Sequence, residues 1–140
     1  MKKIMIYAGG KAKGTPYDDA VKTYIKRIHM WSVQVVDVPD AKWDHLTRSP
    51  SEWWVGLCEK GTQWTSTQFH HQMDTWMIQS KKVCFFIGPA NGLSASMISK
   101  CHVVMSLSLM TWPHLMARSM LVEQIYRAQQ IKNGHPYGSI

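Results

Sequence analysis

No stretch of this sequence approaches the roughly 18 consecutive apolar residues that a membrane-spanning helix needs. There is also no internal repeat, low-complexity tract or linker. Cysteine is sparse: Cys58, Cys84 and Cys101 are odd in number, far apart and without a CxxC pair. That argues against a disulfide framework and against a structural zinc site. His70-His71 and Cys101-His102 are not at metal-ligand spacing, so no metal is expected. Acidic residues are few, 9 against 16 Lys+Arg, and the formal net charge is +7. The excess lysines are scattered, and charge alone leaves two readings open. One is a solvated basic surface; the other is a polyanion partner whose RNA or DNA phosphates attract the basic face. The nucleotide signatures GxGxxG and the P-loop are missing, as is the hydrolase signature GxSxG, so none of those chemistries has support.

What is present fits one domain over residues 1–140. The opening "MKKIMIYAGG" begins like a signal peptide, but its apolar run, residues 4–8, is too short for one. It reads as the first strand of a cytoplasmic protein. Thr15 is a good N-cap, Pro16 fits the first helical position, and Asp18 and Asp19 suit a positive helix start. Tyr17, Val21, Tyr24, Ile25 and Ile28 then mark one face of a helix ending near His29. Residues 33–38 ("VQVVDV") read as a second strand, and residues 40–51 as turn formers with little periodicity. Residues 52–58 give a third strand, closed by Gly61. A capping box, Thr65 to Gln68, opens a helix with Phe69, Met73, Trp76 and Met77 on one face. Strands at 83–88 and 103–108, a short helix at 93–99 and a long one at 113–131 complete the chain. Alternating elements with apolar strands predict an α/β domain with a mostly parallel sheet and helices on both faces.

In such a sheet, ligands sit at the carboxyl ends of the strands. Three ends become candidates: residues 57–61, 88–92 and 106–113. The last is an apolar loop, "SLSLMTWP", which is a poor surface for water unless a ligand or another chain covers it. The helix after it is apolar nearly all round, which predicts burial on more than one side. One sheet can cover one side, so a homodimer is expected to cover the other. Arg118 falls within the apolar stripe, where a guanidinium needs an anion. That anion is either a core or dimer carboxylate, or a phosphate or cofactor carboxylate. Glu123 and Arg127 are four apart and are expected to pair on the helix.

The segments "FFIGPANGL", "SLSLMTWPH", "ARSMLVEQIYRA" and "HPY" stand in this order at fitting spacings. In these the chain resembles the ribosomal RNA large subunit methyltransferase H family of the SPOUT class. "YAGGKAK", "YIKRI" and "VDVPDAK" extend the resemblance over nearly the whole chain. It implies an α/β fold with a C-terminal trefoil knot, a homodimer, and S-adenosylmethionine as methyl donor without a metal. The implied partner is the ribosome through its 23S rRNA, not DNA or a membrane. The implied reaction is methylation of N3 of a pseudouridine in a large-subunit hairpin loop. Cofactor contacts carry over to Leu57, Gly88, Leu107, Ser108, Leu109, Met110, Thr111 and Trp112. His135 or Tyr137 is expected to assist proton removal, and Arg118 to steady developing negative charge or grip a phosphate. The chain departs from the family pattern in three places. Pro89 replaces a glycine, Gly138 stands where the tail usually has histidine, and the region between Pro39 and Trp53 is short. These departures leave a second reading: an rRNA-binding or assembly factor on the same scaffold with impaired catalysis.

Overall fold

Period-two alternation in the strands builds two cores, one on each side of a single sheet. The computed structural model describes residues 1–139. Strands β1 (Lys3–Gly9), β2 (Ser32–Val38), β3 (Glu52–Gln63), β4 (Lys82–Ile87) and β5 (Val103–Ser106) lie in the order β2-β1-β4-β3-β5. Every pairing is parallel. Helices α1 (Pro16–Arg27), α2 (Ser66–Gln79), α3 (Ala95–Lys100) and α4 (His114–Lys132) connect or follow them. Ile4, Ile6 and Ala8 of β1, with Val83, Phe85 and Ile87 of β4, pack against α1, α2 and α4. The alternate residues Cys84 and Phe86, with Trp54, face the other way onto Met97 of α3 and Trp43. The expected α/β architecture, parallel sheet and helices on both faces are therefore present.

The caps written in the sequence are made. The Thr15 hydroxyl accepts from Asp18 N–H, and Thr65 and Gln68 close both halves of the capping box. Several boundaries differ from expectation; β5, for one, ends at Ser106 rather than at residue 108. Residues 40–45 wind a 3₁₀ turn that buries Trp43 in the smaller core; so short a turn leaves no 3.6-residue pattern to read. Helix α3 starts at Ala95 because the Ser94 hydroxyl caps Met97 N–H. Strand β3 continues past Cys58 to Gln63, with a register shift against β5 between Leu57 and Thr62. Gly61, read as the close of the strand, stands inside it beside the bulge.

Helix α4 corrects the argument made from its apolar circumference. The sheet is not its only cover, because α1 and α2 of the same chain flank it. Leu121, Val122, Ile125, Tyr126 and Ala128 are buried within the one chain, while Leu115, Met116 and Met120 near its start stay half-exposed. Gln129 is fully buried and joins α4 to the end of α1. Its carbonyl accepts from His29 N–H at 2.8 Å and Met30 N–H at 3.0 Å, and its amide donates to the Arg27 carbonyl at 3.0 Å. Gln129→Leu keeps the volume but orphans these groups. It should cost about 2–4 kcal/mol in chemical denaturation.

Two histidines make stability depend on pH. His102 Nδ1 accepts from Trp54 N–H at 2.9 Å, and its ring stacks on Trp53 at 4.1 Å. Desolvation and then the Arg48 charge lower its pKa. Burial likewise lowers that of His70, against an opposing pull from Asp74. A histidine with a lowered folded pKa favours folding above its unfolded pKa and loses that contribution as pH falls. The urea midpoint should therefore drop from pH 7.5 to pH 5, with the onset near pH 6.5. A flat midpoint over that interval would contradict this.

Candidate active site

The carboxyl ends of β3, β4 and β5 converge on one cavity of about 760 Å³. That volume lies within the range of small-molecule sites. Leu57, Cys58, Glu59 and Lys60 line it from the β3 bulge, and the turn after β4 supplies Gly88 to Leu93. Leu107, Ser108, Met110, Thr111 and Trp112 come from the β5–α4 loop, and His114 and Ala117 from the start of α4. Seven of the eight residues assigned to the cofactor thus share one cavity. Leu109 is outside its lining and 76% exposed. Cys58, Glu59 and Lys60 fall within the strand end 57–61 marked as a candidate from the sequence, of which Leu57 alone was assigned to the cofactor. The bulge that places them on the cavity is not announced by a single sequence.

Each wall has a local reason for its shape. At Gly88 a Cβ would stand 2.5 Å from both Gly92 C and Leu93 N, so the turn folds back over a position without a side chain. Gly92 N–H donates to the Pro89 carbonyl at 2.7 Å and closes that turn. The apolar loop is held by its hydroxyls. Ser106 Oγ donates to the Ser108 carbonyl at 2.6 Å. Ser108 Oγ accepts from Met110 N–H at 2.8 Å and from Trp112 Nε1 at 3.1 Å. Thr111 Oγ1 donates to Glu59 across the cavity at 3.4 Å. A fixed polar spine therefore carries Met110 and Trp112 on a loop that is itself exposed. Burial pushes the Cys84 thiol up to about 12 and the Cys101 thiol up to about 11. Among the described residues no group of three or more His, Cys, Asp or Glu is placed to hold a metal, and no helix is long and apolar enough to cross a membrane.

The residues assigned to the chemistry sit elsewhere. Arg118 is 3% exposed, with Nη1 on Asp37 Oδ1 at 2.6 Å. Its Nη2 donates to the carbonyls of Gly9 at 3.0 Å and Gly10 at 3.3 Å. Of the two anions considered for it, this chain supplies a carboxylate, and Arg118 ties α4 to the ends of β1 and β2. The pairing of Glu123 with Arg127 is present at 2.6 Å. Tyr137 donates its hydroxyl to Glu123 at 3.0 Å, and His135 Nδ1 accepts from Tyr137 N–H. Burial first, and then the Glu123 carboxylate, raise the pKa of Tyr137, which keeps its proton. A Cβ at Gly138 would meet Ile131 N at 2.8 Å, so the tail lies flat on α4 without room for histidine there. His135 and Tyr137 follow the far end of α4. The tail folds back along α4, so the Tyr137 hydroxyl stands at Glu123, about 9 Å along the axis from Ala117 on the cavity wall, and neither His135 nor Tyr137 is among the residues lining the cavity.

Comparison with known proteins places this geometry among methyltransferases. The family described as "Predicted SPOUT methyltransferase" matches residues 1–138. The ribosomal RNA large subunit methyltransferase H of Rhizorhabdus wittichii is 37% identical over 135 residues, covering 96% of each chain. That of Zymomonas mobilis is 33% identical over 138 residues, again covering 96% of each. Among solved structures, a probable methylase family protein from Haemophilus influenzae superposes with a TM-score of 0.59 at 12% identity, covering 94% of this chain and 67% of that one. The SpoU methyltransferase AviRb from Streptomyces viridochromogenes, solved with AdoMet, gives 0.51 at 13% identity, covering 92% and 57%. At such identities the structures speak for the fold alone.

Proposed function

The chain belongs to the SPOUT methyltransferases, within the ribosomal RNA large subunit methyltransferase H family; from that premise we propose that it methylates N3 of a pseudouridine in a hairpin loop of 23S rRNA on the assembled ribosome. The observation that carries the reading is the convergence of three strand ends on one cavity lined by Leu57, Gly88, Leu107, Ser108, Met110, Thr111 and Trp112. Its apolar walls and fixed loop hydroxyls fit the adenosine and methionine parts of S-adenosylmethionine, and Gly88 lets the turn after β4 fold tightly enough to form one wall. Leu109 contacts the cofactor only if the loop turns inward. When bound, S-adenosylmethionine supplies a methyl group already activated by a sulfonium. The chain's own task is alignment, which contributes up to about 7–11 kcal/mol in favourable cases.

The tail extends the proposal to a homodimer. His135 and Tyr137 lie along α4 outside the lining of their own cavity, and they serve the chemistry by reaching the cavity of a second copy. The half-exposed Leu115, Met116 and Met120 suit the contact between copies. Tyr137 keeps its proton and orders the tail, which leaves His135, exposed beside it, to take the N3 proton directly or through water. General-base assistance of this kind contributes about 10²–10⁴-fold. Arg118 acts at one remove, holding the Gly9–Gly10 corner. The knotted threading of the C-terminal part belongs to the same proposal.

Ribosomes incubated with labelled S-adenosylmethionine, followed by mapping of the methylated nucleotide, test it. The label should fall on a single large-subunit pseudouridine. The second reading, an RNA factor with impaired catalysis, predicts no label and no calorimetric heat with S-adenosylmethionine.

A further inference from the structure

The loop between β1 and α1, beside the cavity, carries two lysines that make no hydrogen bond or ion pair among the described residues. Its first residues rest on the cavity wall. A Cβ at Gly9 would lie 2.6 Å from Pro89 Cα, and one at Gly10 would lie 2.5 Å from His114 Nε2. Both Pro89 and His114 line the cavity. Lys11 and Lys13 follow at once, and both are exposed.

The loop is built to hold them still. Gly10 has φ +79, a left-handed conformation that turns the chain out of β1. Arg118 grips the carbonyls of Gly9 and Gly10 from below. Ala12, between the two lysines, is 1% exposed and acts as a plug. Its carbonyl accepts from Thr15 N–H at 3.0 Å and Thr15 Oγ1 at 2.6 Å. Lys22, Lys82 and Lys132 pair with carboxylates at 3.0, 3.3 and 2.8 Å, and Lys2 and Lys100 reach backbone carbonyls, away from the cavity. Lys11 and Lys13 have no carboxylate partner among the described residues. Across the cavity, Lys60 adds a third exposed ammonium, while the neighbouring Glu59 is engaged by Thr111.

Two ammonium groups on a preorganised loop at a cavity mouth form a phosphate site without base selectivity. We propose that Lys11 and Lys13 bind the RNA backbone phosphates flanking the target nucleotide and so seat its base over the cavity. This rests on the rRNA reading above and adds the surface that receives the substrate.

The test compares the wild-type protein with Lys11→Gln/Lys13→Gln and Lys11→Arg/Lys13→Arg. Binding to purified large-subunit rRNA is measured against salt, methyl transfer is measured on whole ribosomes, and S-adenosylmethionine binding is followed by calorimetry. Losing two phosphate contacts should lower the slope of log affinity against log salt by about 1.5. It should also raise KM for ribosomes about tenfold, and the Arg variant should restore both. A glutamine variant with the wild-type slope and KM overturns the proposal. So does a loss of cofactor affinity at unchanged slope, which would assign the lysines to the cofactor's carboxylate. If the wild-type protein gave neither cofactor heat nor methyl transfer, the functional reading would fall. A lysine-dependent slope in that same protein would still establish the RNA contact.

Discussion

Gly88→Ala should abolish the calorimetric signal with S-adenosylmethionine and cut methyl transfer by about a hundredfold or more. The added methyl group has nowhere to go, because its neighbours at 2.5 Å are the backbone atoms Gly92 C and Leu93 N rather than a flexible side chain. The turn must open by tenths of an ångström to an ångström, and it is the floor of the cavity. The strain resembles overpacking, which costs about 1–3 kcal/mol of stability. A folded protein with an empty-handed cavity is therefore the expected product, and a thermal melt beside the calorimetry separates the two effects. Wild-type cofactor affinity in this variant would mean that the cavity's shape at Gly88 is irrelevant to binding.

Asp37→Ala should cost about 2–4 kcal/mol of stability although the residue lies at the surface end of its strand. The reason lies in its partner. Arg118 is buried and cannot give up its proton. Among the described residues its Nε has no hydrogen-bond partner, and its other hydrogen bonds there go from Nη2 to two carbonyls. Removing the carboxylate at 2.6 Å leaves a buried positive charge uncompensated. The cost falls below that of a fully enclosed pair because the Asp37 side chain is 46% exposed, so water reaches Nη1 once the carboxylate is gone. For a chain of this size the melting temperature should fall by roughly 10 °C. Arg118→Met in the same background should recover part of that loss, since the pair is then absent rather than broken. A drop under about 1 kcal/mol in the single variant would show that solvent already carries the charge.

Much of the fold was legible because local chemistry and tertiary structure agree. Thr15-Pro16, the Thr65–Gln68 box and the apolar "VCFF" run each lead to the element they announce. The cavity was legible at one remove: parallel strands imply a site at their carboxyl ends, and three such ends meet there. What stayed hidden depends on long-range partners. The β3 bulge exists because Leu57 and Thr62 share Met105 as their neighbour on β5, a register that no local pattern encodes. Gln129 carries no local signal of burial, because its partners stand about a hundred positions earlier. Arg118 was correctly seen as needing an anion, but only the fold reveals that the anion is Asp37. The apolar circumference of α4 suggested a second subunit, whereas α1 and α2 supply much of the cover. The case for a dimer therefore passes from that helix to the separation between tail and cavity.

That separation can be tested directly by mixing two inactive proteins. One carries Gly88→Ala, with its tail intact; the other carries His135→Ala and Tyr137→Phe, with its cavity intact. If each site takes its cavity from one subunit and its tail from the other, co-folded mixtures should regain about a quarter of wild-type methyl transfer. Half of the dimers are then mixed, and each mixed dimer holds one complete site. A mixture no more active than its parents would contradict the composite site and return the tail to a purely structural role.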